Sequence, residues 1–530
     1  MRTYMEQRSV IQQTTQPQEN QATNRYRWMR HFFTEDVSPD NHPIVQLQRR
    51  AVWIGLALIL QALNEIDYNW YIAFVPSNIK PFGSLIPFTL ITGSFIAMGM
   101  AIRPRSVKQR ARQGSPRRWQ RIILVLTLLL TIAGGIEFGR ILIMCFLPPQ
   151  FSNDGTSLDT NAAVLLLEGR NPYTDSNMLD MAERYSIQPN WTTPLQQGQF
   201  ANREDYPTMV DFQTVLDTDI KAGKALEFES KVSYPALSFL TLVPFALFKD
   251  YNVLPFYLLS YLLLVAIAWK VARPEMRGWV LLLSMANVSM WVSTVGGNLD
   301  IFYTLLIVLV WLLRDKRWSS ALFLGLALAS KQIAWFFLPF YAIMILRHYG
   351  MKEVIYRLVI AGSIGLAFNL PFILWNPQAW LAGILAPMAD PMFPMGVGPI
   401  NLSVTHLLPY LPKWAYTAME GVAMLGSLAW YWRICKKFPE AAMLLAVLPL
   451  FFAWRSLSSY FYCSAFPLFV LMAARVPLGQ KAPAQQKVQG SSEPAIKWYG
   501  GTLVGMPAMT HMRLFAYPAQ IFRHITQFIL

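Results

Sequence analysis

Apolar stretches of roughly membrane-spanning length recur along most of this chain, and a water-soluble core has no place for them. They fall at 51–73, 84–102, 122–147, 253–270, 278–296, 298–313, 318–331, 334–347, 355–374, 414–432, 440–453 and 460–474. Several are shorter than the ~20 residues a helical span needs, so their ends extend into flanking polar positions or some turn back inside the bilayer. Residues 234–248, YPALSFLTLVPFALF, are apolar too but carry two prolines, and read as a juxtamembrane or half-inserted segment. Only 14% of residues are charged, against roughly 25% in soluble chains. The pattern predicts an all-α, polytopic transmembrane helical protein of about 12 spans.

The net charge is +15, but the basic residues sit in short loops between apolar segments, where they set topology rather than hold nucleic acid. The loop 103–121 has eight Arg/Lys and no acid, and is expected inside. One span later, 148–234 has thirteen Asp/Glu against six Lys/Arg, and is expected outside. The basic loops 270–277, 314–317, 347–357 and 433–437 each lie two crossings from the next. All are cytoplasmic if 235–270 crosses an odd number of times. This map places the acidic loop, GGNLD at 296–300, Lys331, the loop 375–413 and the run from Arg455 to Tyr460 on one extracytoplasmic face. It puts both termini in the cytoplasm of a cell with this protein in its membrane.

The same pass divides the chain. Residues 1–48 read as a disordered cytoplasmic tail and 49–121 as a two-span hairpin with the basic loop. Residues 122–413 form the main module, with outer loops 148–234 and 375–413. Further spans occupy 414–474, and 475–530 is a linker with an interfacial amphipathic tail. Cys145, Cys435 and Cys463 lie in or beside apolar segments with no CxxC pair, so no disulfide framework or zinc site is expected. No metal or cofactor is expected, and no internal repeat of the transporter kind is present.

The densest polar information lies at 153–173, NDGTSLDTNAAVLLLEGRNPY. LDTNAAVLLLEG reads as a short amphipathic helix stopped by Gly169, followed by a turn at Asn171-Pro172-Tyr173. Asp154 then belongs to an Asn-Asp-Gly turn, and Asp159 is a first-turn acid that satisfies the helix dipole. Lys331, in ALASKQ, is either a snorkelling interface lysine or an anion contact, and Arg455, in FFAWRSLSSYF, has the same two readings. Asp300 either orients a substrate or pairs with Lys331. His406 reads first as a loop histidine, and Trp375 and Trp380 as interface anchors whose faces could also stack on sugars.

The order of these pieces resembles glycosyltransferase family 87, within the GT-C superfamily of polyprenyl-phosphate-dependent transferases. The matching pieces are Asp154, Ala162-Ala163, Gly169-Arg170-Asn171-Pro172-Tyr173 and Tyr234-Pro235-Ala236-Leu237. GGNLDIFYTLLIVLVWLLRDKRWSSALFLGLALASKQ and PINLSVTH at 399–406 continue the likeness, which covers roughly residues 122–470. Departures are Gly296-Gly297-Asn298 for the family's "G-Q", Tyr-Pro-Ala for "Y-P-P", and Gln332 rather than Pro after Lys331.

The resemblance implies a GT-C-like module of seven spans, with large outer loops after the first and seventh, and extra N- and C-terminal spans. It implies transfer of a sugar, mannose among the candidates, from a polyprenyl-phosphate donor to a glycan or glycolipid acceptor at the extracytoplasmic face. A sugar hydroxyl attacks the anomeric carbon, a carboxylate takes its proton for on the order of 10²–10⁴ in rate, and cations stabilise the departing phosphate. Asp154 is nearest the family's acid position, with Asp159 the runner-up. Lys331, Asp300, Asn298, Asn401, Ser403, His406, Arg455, Tyr460 and Tyr173 are the implied substrate-binding set. Losing the Lys331 charge is then expected to weaken donor use with little loss of folding. The competing expectations are a transporter or flippase of lipid-linked or polar substrates, and a non-catalytic membrane scaffold of the same shape.

Overall fold

The computed structural model describes residues 43–74, 83–102 and 118–474, apart from 150, 152, 186, 189, 190, 296 and 298. The chain divides into units at 1–476 and 477–530. The second unit, most of the N-terminal tail and most of the basic loop lie outside the described residues, as does Asn298.

The described chain is mostly helical. It opens with α1 (Pro43–Phe74), on which α2 (Leu85–Ile102) and α3 (Arg118–Met144) both pack. The long stretch 148–234 holds α4 (Asp154–Leu167), α5 (Pro172–Asp175), α6 (Met178–Tyr185) and α7 (Met209–Ala222). Then come two short turns of helix, α8 (Leu237–Leu240) and α9 (Val243–Leu247), and the long α10 (Leu254–Val271). The stretch 278–296 is broken at Asn287 into α11 (Pro274–Ala286) and α12 (Val288–Thr294). There follow α13 (Leu299–Leu312), α14 (Arg317–Ser330), α15 (Leu338–Tyr349), α16 (Met351–Trp375) and α17 (Pro377–Ala389). The chain continues through α18 (Pro399–Val404), α19 (Lys413–Ile434), α20 (Ala442–Leu445), α21 (Ser459–Tyr462) and α22 (Ala465–Ala474). Pro255, Pro274, Pro339 and Pro377 each occupy the first turn of their helix, where the missing N–H costs nothing.

Four of these helices, α2, α3, α10 and α16, are long and apolar enough to cross a membrane. Their outward faces are apolar: Ile132, Ile136 and Ile143 on α3, and Val359 and Leu374 on α16, are exposed. A water-soluble monomer rarely exposes contiguous apolar surface on this scale, and hydrocarbon covers it at no cost. Inside, Trp291 stacks edge-on against Tyr261 with centroids 4.6 Å apart, while Trp311 and Tyr431 both donate to the Pro439 carbonyl.

Antiparallel helices α13 and α14 set the depth of the site. Their connecting turn is basic, and Asp315 accepts the Tyr349 hydroxyl there. Arg317 and Arg357 share Glu353, and Arg347 stacks 4.8 Å over Trp432. The basic loops 314–317, 347–357 and 433–437 therefore meet at one end of the bundle. From that end each helix of 14 residues climbs about 21 Å, and Asp300 and Lys331 lie together at the far ends.

At that far end the two large loops are folded onto each other. Phe200, Tyr206 and Phe212 of the first loop pack with Phe228 and with Phe393 of the second. The Gln196 amide donates to the Pro391 carbonyl at 2.7 Å, and Lys231 grips both Asp390 oxygens at 2.7 Å. A parallel two-residue pairing joins β1 (Met395–Gly396) to β2 (Arg455–Ser456), which delivers Arg455 to the same end.

Candidate functional site

Helix α4 begins at Asp154, four residues earlier than its sequence pattern suggests. Asn153 is the cause: its side-chain oxygen caps the Thr156 amide at 2.9 Å. Asp154 is thus the first-turn acid, half-buried, with Oδ1 accepting the Gly155 amide at 2.8 Å. Asp159 is not a first-turn acid. It lies in the second turn, wholly buried at 0% exposure. Gly169 closes the helix with φ +74°, as its position after the apolar run predicts.

The N-terminus of α4 is tied to the N-terminal side of α13. The Asn153 amide and the Thr156 hydroxyl both donate to the Gly297 carbonyl, at 2.9 and 3.1 Å. Gly297 has φ +82°, and a Cβ there would lie 2.6 Å from Thr156, so the approach needs glycine. Two helix N-termini, whose dipoles favour negative charge, converge here. Asp154 stands at one and Asp300 in the first turn of the other.

Lys331 is 6% exposed and does not snorkel. Its Nζ meets Asp300 Oδ1 at 2.5 Å and stands 5.0 Å over the Tyr234 ring. Of the two readings open for Asp300, pairing with Lys331 is the contact the structure contains. Tyr234 is the hub: it lies against Gly155 and interacts electrostatically with Asp154, Asp300, Asp159 and Arg455. The Tyr173 hydroxyl donates to the Tyr234 carbonyl at 2.8 Å, and the Tyr173 ring packs edge-on against Phe239 and Phe372. Tyr460 interacts with Tyr234, Lys331, Arg455 and Asp300.

Asp159 faces the Ser238 hydroxyl and the Lys331 charge, yet neither carboxyl oxygen closes a hydrogen bond. Burial pushes its carboxyl well above the usual range, outweighing Ser238 and Lys331, which pull the other way. The buried Tyr257 hydroxyl near it also lacks a hydrogen-bond partner among the described residues.

The structure thus gathers Asp154, Asp159, Tyr173, Asp300, Lys331, Arg455 and Tyr460. Arg455 is partly buried and donates to the Phe393 carbonyl at 3.3 Å. Three other candidates stand elsewhere in structural bonds. The Asn401 amide donates to the Ser84 carbonyl at 3.2 Å, and the Ser403 hydroxyl bonds the Tyr416 hydroxyl at 2.7 Å. His406 is a loop residue with φ +60°, exposed and 3.4 Å from Asp205. Of the two tryptophans, Trp375 is exposed at the end of α16, while Trp380 donates to Asn369 Oδ1 at 3.2 Å.

Residues the sequence reading passed over complete the arrangement. Gln332 donates to the Ser233 carbonyl and, at 3.2 Å, to the Ile384 carbonyl, holding the Tyr234 segment from the side. Asn369 accepts the Ala236 amide at 3.0 Å and holds it from the other. Asn153 was findable as a helix cap followed by threonine; Gln332 and Asn369 carry no such local signal. No family model, curated protein or solved structure matches the chain.

Proposed function

We propose that this chain is a membrane glycosyltransferase that moves a hexose, mannose among the candidates, from a polyprenyl-phosphate donor to a glycan or glycolipid acceptor. The observation that carries the reading is Tyr234, which has the Lys331 ammonium over its ring and interacts with an accessible acid, Asp154, and a second cation, Arg455. These are the parts that phosphate-leaving glycosyl transfer needs, set between two helix N-termini that favour an anion.

In this reading the acceptor hydroxyl oxygen attacks the anomeric carbon while its proton passes to Asp154. The bond from that carbon to the phosphate oxygen breaks, and the electron pair leaves with the lipid phosphate. Arg455 and Lys331 stabilise the departing charge, and Tyr460 and Tyr173 shape the walls. About 12 spans, a GT-C-like module within 122–413 and an extracytoplasmic site belong to the same proposal. The site lies about 21 Å from the basic end, within a hydrocarbon core of ~30 Å, where a lipid-borne phosphate arrives without leaving the bilayer.

The buried Lys331–Asp300 pair also favours a second reading, a transporter or flippase, because intramembrane ion pairs often line transport paths. Incubating membranes with a radiolabelled polyprenyl-phosphate sugar separates the two. Label transferred to glycan or glycolipid supports the transferase; label that stays on the donor and becomes protected inside vesicles supports transport.

A further inference from the structure

The charged groups packed around Asp159 do not balance if every one of them is ionised. Lys331 offers one positive charge and is already engaged with Asp300 at 2.5 Å. Asp159 is fully buried, and its two oxygens accept no hydrogen bond. The groups that face it are the Ser238 hydroxyl from α8, Lys331 after α14, and the phenols of Tyr173, Tyr234 and Tyr257. Asp154 and Asp300 share the Tyr234 phenol with it, and Arg455 acts on that phenol rather than on Asp159. None of these supplies a second cation at its carboxyl. A carboxylate shut off from solvent, with one hydroxyl beside it and no free counter-charge, takes up a proton rather than stay ionised.

We propose that Asp159 carries its proton at neutral pH and serves the site as a neutral carboxylic acid. Asp154 and Asp159, five residues apart on one helix, then divide the labour. Asp154, half-exposed, is the carboxylate that accepts a proton. Asp159 is a buried acid that leaves the floor of the site uncharged, beside the equally neutral Lys331–Asp300 pair. A substrate phosphate approaching Lys331 and Arg455 meets no second bare carboxylate to repel it. That use by a substrate rests on the transferase reading; the protonation itself does not.

Infrared spectroscopy of the purified full-length protein in lipid nanodiscs tests the protonation without any turnover. The spectrum of wild type minus Asp159→Asn at neutral pH should show a C=O stretch of a protonated carboxyl and no carboxylate stretch. Other protonated carboxyls are common to both proteins and cancel. A carboxylate band in the difference overturns the proposal. Should the variant not fold, wild type labelled with carboxyl-¹³C aspartate decides. Measured two pH units above the value of about 7 to which burial and Glu227 push the Asp219 carboxyl, the protein should keep an isotope-sensitive protonated band. Its absence overturns the proposal equally. A silent transferase assay beside a clear infrared band removes the enzymatic reading and leaves the protonated acid standing.

Discussion

Removing the ammonium of Lys331 leaves the Asp300 carboxylate buried without that cation, because the two side chains are 8% and 4% exposed and only 2.5 Å apart. Breaking one side of such a pair costs about 3–5 kcal/mol, whereas removing both sides is often close to neutral. Lys331→Met should therefore lower the thermal midpoint of the detergent-solubilised protein by several degrees. Adding Asp300→Asn should recover most of the loss. If the double variant stays as unstable as the single one, the contact with the Tyr234 ring rather than the ion pair holds the site together. This revises the expectation that Lys331 can be neutralised with little effect on folding. The acids make a second prediction. Asp154→Asn keeps the shape but removes the proton acceptor, so turnover should fall by on the order of 10² or more with donor binding kept. Asp159→Asn should cost far less, since an amide imitates a carboxyl that is already neutral. Side-by-side turnover at saturating donor checks the order; a dead Asp159→Asn with a working Asp154→Asn reverses the two roles.

Among the elements, the seam between the two large loops is open to titration. Glu229 is 3% exposed, and burial together with the facing Asp390 pushes its carboxyl up to about 8 from 4.5. Lys231, which grips Asp390, pulls in the opposite direction but more weakly. A raised acid binds its proton more tightly in the folded state, so its contribution is fully present below about 4.5 and is lost as pH rises through about 8. Asp219, raised to about 7 by burial and Glu227, adds to the same trend. Limited proteolysis of the loop should accelerate between mildly acidic and mildly alkaline pH. Glu229→Gln should flatten much of that rise, and an unchanged profile assigns the sensitivity to Asp219 instead. The elements also show what sequence could and could not supply. The far-end gathering was legible because charge alternation fixes which span ends share a side, and polar residues at those ends are conspicuous in an apolar chain. The start of α4 was misread because the apolar period begins only at Leu158, while Asn153 caps four residues of polar helix before it. The separate roles of Asn401 and Ser403 depend on Ser84 and Tyr416, partners that no local pattern names.

For the molecule as a whole, the basic turns at one end and the folded loops at the other give a direct topological prediction. In a Cys145→Ser background, Lys224→Cys on the outer loop should react with an impermeant thiol reagent on intact cells. Lys316→Cys in the basic turn should react only after lysis; the reverse pattern inverts the map. The bundle is also closed by its two ends. Gln61, Asn64 and Glu65, on one face of α1, reach Phe461 and Tyr462: Gln61 donates to the Phe461 carbonyl at 3.2 Å, and the Tyr462 hydroxyl donates to Glu65 at 2.5 Å. Some 400 residues separate these partners. During synthesis α1 is made long before Tyr462 exists, so Gln61, Asn64 and Glu65 spend most of translation without these partners. At roughly 5–20 residues per second, that wait lasts tens of seconds. A chain stopped short of Tyr462 leaves uncovered the polar face of α1 that Phe461 and Tyr462 cover in the structure.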